Sequence, residues 1–117
     1  MVVSPIVLVA VDGSSSSWQA LEWAAEHAQL TGRALRIVHV GDAGTSPESV
    51  DLRGFGRKLL AEAIAALAES HPGLLASTEL LLGDPASRLL EIAPQAELVA
   101  VGRGRPGLPG VRLGSVT

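Results

Sequence analysis

The chain has 117 residues, 47% of them hydrophobic and 18% charged, with a formal net charge of −3. This is the size and balance of one globular domain, able to bury roughly two-thirds of its unfolded surface. The absence of cysteine excludes disulfide frameworks, cysteine zinc sites and thiol nucleophiles, and 3% aromatic content leaves few rings for stacking single-stranded nucleic acid.

In chain order, Ile6 to Val11 (IVLVAV) is a short run apolar on both faces, closed by Asp12-Gly13. Such a run predicts a buried parallel strand. Ser14 to Ser17 offer N-caps, and Trp18, Leu21, Ala25 and Ala28 repeat at helical spacing as far as Leu30. Gly32 stands where a C′ residue would stop that helix. Ala34 to Val40 (ALRIVHV) predicts a second strand, and Gly41 to Val50 a polar connection. Leu52 to Ser70 carries Leu59, Leu60, Ile64 and Leu67 on one helical stripe, ended by His71-Pro72-Gly73. Leu74 to Leu82 predicts a third strand, Ala86 to Ala93 a third helix opened by Pro85, and Glu97 to Val101 a fourth strand.

Strict alternation of strand and helix implies an α/β fold: an open parallel sheet, Rossmann-like, with helices on both faces and right-handed crossovers. Beyond residue 102 the rhythm fails, and no complete element is expected. Gly114-Ser115 reads as a helix cap with no helix after it, so residues 1–117 are expected to be a single domain incomplete at its C-terminus.

Charge is unevenly spread. Val101 to Thr117 holds Arg103, Arg105, Arg112 and no acid, a +3 segment on a −6 remainder, and it is rich in glycine. Net acidity argues against a general nucleic-acid partner. The N-terminus has no basic region before its apolar run, and no stretch approaches the roughly 18 apolar residues needed to cross a bilayer. A cytoplasmic protein with no membrane partner is expected.

In an open α/β sheet, ligands sit beyond the carboxyl ends of the strands where strand order reverses. If strands 2 and 4 flank strand 1, Asp12 and Gly102 meet there. The run Gly102-Arg103-Gly104-Arg105-Pro106-Gly107 matches G-x-G-x-x-G in form, yet its prolines disfavour the helix that a dinucleotide fingerprint needs. The sole lysine, Lys58, lies mid-helix, so no Walker A loop exists. Two readings of the segment stand: a glycine loop cradling phosphate, helped by its arginines and by Gly114 and Ser115 at a helix N-terminus, or a solvated surface loop. Asp12 likewise either hydrogen-bonds a ribose hydroxyl or caps the first helix. His39 reads as structural, and His27 and His71 as surface or loop residues. The histidines lack metal spacing, so no metal site is expected, and no catalytic residue is identified.

With these residues placed, the chain resembles a universal stress protein domain along essentially its whole length. The resemblance is carried by VLVAVDGSSSSWQALEWAAEHAQLTG, LRIVHV, the Gly83-Asp84-Pro85-Ala86 turn, ELVAVGRG and the closing LGSVT. The phosphate signature of the family's ATP-binding branch is G-x2-G-x9-G-[S/T]. Gly104, nine residues and then Gly114-Ser115 fit its second half, whereas Gly102-Arg103-Gly104 is one residue short in the first. The resemblance implies Asp12 and Gly102 at the ribose and the Val40 backbone at adenine. It implies Gly104, Gly114, Ser115 and Thr117 around the phosphates, where Arg103 adds positive charge. It also implies a fourth helix and a fifth strand, used for dimer pairing, that this sequence does not contain; strand 4 would then be a bare edge.

The function expected is a stress-response module that binds ATP, alone or with Mg2+, or a related adenine nucleotide, hydrolyses it slowly if at all, and forms a homodimer at full length. The alternatives are a nucleotide-free, dimerising interaction protein of the same family and an ATP-cleaving relative on the same fold.

Overall fold

A computed structural model describes residues 6–41, 49–102 and 111–115. Five strands form one sheet in the order β3-β2-β1-β4-β5: β1 Ile6–Ala10, β2 Leu35–Gly41, β3 Ala76–Leu82, β4 Ala96–Gly102 and β5 Val111–Ser115. The first four are parallel, and β5 runs antiparallel to β4. Strands β2 and β4 do flank β1, so strand order reverses there.

The apolar runs become strands because both faces of β1 are covered. Val7 and Val9 face helices α1 (Ser15–Thr31) and α2 (Ser49–Ser70), and Leu8 turns to the opposite side, where α3 (Pro85–Ile92) supplies Leu89 and Ile92. Helices therefore lie on both faces, two against one. Helix α1 presents Ala20, Ala24, Ala25 and Ala28 to the sheet, small residues that let its axis lie close, with Leu21 as the larger anchor. Burying a side chain such as Leu21 stabilises by about 1.5–3 kcal/mol.

Several boundaries differ from those the sequence predicts, each for a local reason. Helix α1 starts at Ser15, because Ser14 is the N-cap and its hydroxyl accepts the Ser17 N–H at 3.2 Å. It stops where predicted: Gly32 adopts φ 70° and donates its N–H to the Ala28 and Gln29 carbonyls. Helix α2 starts three residues earlier than predicted, at Ser49, while β3 begins two residues later, at Ala76. Helix α3 ends at Ile92, and Ala93–Gln95 tighten into a 3-10 turn at Pro94.

The largest difference lies after β4. Val111–Ser115 form a strand where no element is predicted, and Gly102 stands opposite Val111 while Leu98 stands opposite Ser115. The unpaired edge expected of β4 is thereby satisfied by backbone pairing. The helix N-terminus expected at Gly114-Ser115 is replaced by this strand.

Candidate functional site

The carboxyl ends of β1, β2 and β4 open into a cleft of about 140 Å3. Its walls are Ala10, Val11 and Asp12 from β1 and its exit, Val40 from β2, Val101 and Gly102 from β4, and Pro85 and Leu89 from α3. The lining residues are apolar except for Asp12.

Asp12 is held by the turn that carries the chain from β1 into α1. Its Oδ1 accepts the Ser14 N–H at 2.9 Å, and its own N–H donates to the Ser17 hydroxyl at 3.3 Å. Ser17 Oγ in turn donates to the Ser14 carbonyl at 2.9 Å. Gly13, between them, sits at φ 89°, a conformation glycine adopts without strain. Burial pushes the Asp12 carboxyl up, but hydrogen bonding from the Ser14 hydroxyl and amide and the Ser17 hydroxyl together outweigh it and hold the group below its ordinary value of 3.8. Asp12 is therefore an exposed anion at the mouth of the cleft. The capping role expected of Asp12 falls instead to Ser14, the N-cap of α1, and the Asp12 carboxylate fixes the turn one step ahead of it.

Gly102 ends β4 directly against the first turn of α1. A methyl group there would overlap the Ser16 carbonyl and stand 2.5 Å from the Ser17 nitrogen. The two strand ends flanking the switch point thus come together, as expected of Asp12 and Gly102.

Val40 is half-buried on the β2 wall. Pairing of β1 with β2 ends at Ala10 opposite Val38, and the Val11 N–H donates to the Val38 carbonyl at 2.9 Å. By strand alternation the main-chain N–H and C=O of Val40 point to the same side, past the end of that pairing. They offer one donor and one acceptor beside the cleft.

Pro85 and Leu89, one helical turn apart on α3, form a wall that sequence reasoning missed. Asp84 caps this helix: its Oδ2 accepts the Ser87 N–H at 3.0 Å and the Ser87 hydroxyl at 2.9 Å. Those two bonds, the amide first, hold the Asp84 carboxyl below its ordinary value. The i, i+4 spacing of Pro85 and Leu89 was visible in the sequence. Which face of the sheet α3 covers was not.

Of the remaining expected site residues, Arg103, Gly104 and Thr117 lie outside the described residues. Gly114 and Ser115 stand opposite Val99 and Leu98 on β5. Leu98 is four residues back from Gly102, about 13 Å along an extended strand, so Ser115 is paired well away from the strand end that opens the cleft. His39 is buried, and His71, expected to be a surface or loop residue, lies in the bend after α2 but is buried too. The ring of His71 lies between Ser70 Oγ, 2.8 Å from Nδ1, and Glu26 Oε2, 3.2 Å from Nε2, where α2 ends against α1. Among the described residues no helix is long and apolar enough to cross a membrane.

Comparison with known proteins points the same way as the fold. The model of the universal stress protein family matches residues 5–117. A universal stress protein of Mycolicibacterium smegmatis is 38% identical over 95% of this chain, and one of Mycobacterium tuberculosis is 35% identical over 95%. The chain spans only about 40% of the length of these curated relatives. A Burkholderia pseudomallei protein of the family, solved by crystallography, superposes with a TM-score of 0.72 at 32% identity, covering 84% of this chain and 80% of that one. Two more distant structures share the fold and carry nucleotides. One is an Archaeoglobus fulgidus universal stress protein in complex with dAMP (TM-score 0.67, 23% identity, 86% and 82% covered). The other is an Arabidopsis thaliana family protein with AMP bound (TM-score 0.61, 23% identity, 86% and 77% covered). With the family model matched over nearly its whole length, the chain belongs to the universal stress protein family.

Proposed function

We propose that this chain binds an adenine nucleotide in the cleft at the ends of β1, β2 and β4, and acts through that binding as a stress-response module. The observation that carries the reading is the convergence of Asp12, Val40 and Gly102 on one apolar cleft. The chemistry fits each part of the ligand. An anionic carboxylate accepts hydrogen bonds from ribose hydroxyls; a main-chain donor and acceptor side by side complement the edge of a purine; Pro85, Leu89 and Val101 offer apolar faces to its ring. Nucleotide complexes of distant members of the fold support the ligand class.

The cleft, at about 140 Å3, is smaller than the roughly 300–1,000 Å3 of sites that enclose a whole ligand. It would take the base and the near side of the ribose. The phosphates would leave past Gly102. One carboxylate is too few to hold Mg2+ by itself, so any Mg2+ would arrive on the phosphates of ATP. Pairing into homodimers belongs to the same reading and is measured by sedimentation at several concentrations.

One observation favours the nucleotide-free alternative: Asp12 and Gly102 both have reasons in the fold, a turn to fix and a helix to admit. Calorimetric titration with AMP and with ATP–Mg2+ separates the two. We expect binding to the wild type, weakened about tenfold or more in Asp12→Ala, the loss of a hydrogen bond to a charged acceptor. No heat with either ligand would overturn the nucleotide reading; binding indifferent to Asp12→Ala would remove Asp12 from the site.

A further inference from the structure

Asp12 reaches the cleft from a peptide plane that is gripped at both ends. The Val11–Asp12 peptide donates its N–H to Ser17 Oγ on α1 at 3.3 Å. Its carbonyl, the Val11 oxygen, lies 2.8 Å from Nδ1 of the buried His39 on β2. A carbonyl oxygen only accepts, so Nδ1 carries the proton and donates it. In a continued parallel ladder the Val11 carbonyl would face the Val40 N–H, two residues beyond Val38. The pairing stops before that point, and the imidazole takes the carbonyl instead, leaving the Val40 main chain turned toward the cleft.

The imidazole is itself fixed. A methyl group on Gly56 of α2 would stand 2.8 Å from His39 Cδ2, so the helix backbone closes on the ring. The Phe55 ring meets it edge-on at 5.8 Å between centroids. His39 therefore reports the position of α2 on one side of the sheet to the cleft on the other.

We infer that His39 is a positioning residue for the nucleotide site: by holding the Val11 carbonyl it sets the plane that aims Asp12 and keeps the Val40 N–H and C=O available to a ligand. This rests on the proposed nucleotide reading, but the tie itself has readouts that need no ligand. His39→Phe keeps an aromatic ring, somewhat larger than imidazole, and loses the donor. His39→Asn places an amide N–H at about the reach of Nδ1 and keeps it.

With AMP as the probe, His39→Phe should bind about tenfold more weakly than the wild type, the equivalent of one hydrogen bond, and His39→Asn within about threefold. Without ligand, the amide protons of Asp12 and Val40 should exchange faster in His39→Phe and return toward wild-type rates in His39→Asn. In the wild type at about pH 8, where an ordinary histidine is neutral, 15N spectra should show the Nδ1–H tautomer of His39.

Undiminished AMP binding by a folded His39→Phe protein would overturn the inference, as would a His39→Asn protein as weak as His39→Phe. An Nε2–H tautomer would overturn it even if neither variant folds. If the wild type itself binds no AMP, the nucleotide reading fails separately, and exchange rates and tautomer still decide the tie.

Discussion

Gly102 occupies a place that only a residue without a side chain can hold, because a β-carbon there would overlap the Ser16 carbonyl. The obstruction is helix backbone, which cannot rotate aside as a side chain would. Gly102→Ala should therefore destabilise the fold by about 1–3 kcal/mol, the usual cost of overpacking, seen as a lower urea midpoint. An unchanged midpoint would show that α1 can shift outward. Asp12 makes a different prediction, in pH. Its folded value lies below 3.8, so its contribution to stability is present above the unfolded value and lost as pH falls through the folded one. The difference in urea midpoint between the wild type and Asp12→Asn should stay level above about pH 5 and shrink below about pH 4. A difference that persists undiminished at pH 3 or below would mean that the carboxylate's charge is not what holds the turn.

At the scale of elements, the histidine that ends α2 ties it to α1. Glu26 is largely exposed, at 63% of its side-chain surface, whereas His71 is 8% exposed. The contact with Glu26 is therefore solvent-screened and worth about 0–1 kcal/mol, while deleting the buried ring removes packing and two hydrogen-bonding contacts. His71→Ala should cost about 1–3 kcal/mol, and Glu26→Ala less than about 1 kcal/mol. Equal losses in denaturant titrations would show that the Glu26 contact, not the packing of the ring, holds the two helices together. His71 was not legible as a core residue, because His-Pro-Gly reads as a turn and nothing local records that α1 lies over it. Strands β1, β2 and β4 were legible, since each centres on a short apolar run such as IVLVAV and closes at Asp12-Gly13, Gly41 or Gly102. Strand β5 was not: VRLGS has neither a long apolar run nor an unbroken alternation. Its partner is β4, and that pairing is a property of the sheet edge, not of the segment.

For the molecule as a whole, strand order decides where a ligand can sit. The order β3-β2-β1-β4 puts the reversal at β1, and the cleft follows from it, with one wall from each neighbouring strand and a roof from α3. Strand ends supplied Asp12 and Gly102, whereas Val40 came only with the family resemblance. The sequence could not supply Pro85 and Leu89, whose place depends on which face of the sheet α3 crosses. Nor could it separate ligand contact from fold requirement at Asp12 and Gly102, since each residue serves the turn or the helix that creates the cleft. The measurement that addresses the central claim most directly is a 15N-resolved NMR titration of the wild-type protein with AMP. Shifts concentrated on Ala10 to Ser14, Val40, Leu89, Val101 and Gly102, saturating with ligand, are the predicted result. Shifts confined to residues away from the cleft, or none at millimolar AMP, would contradict it.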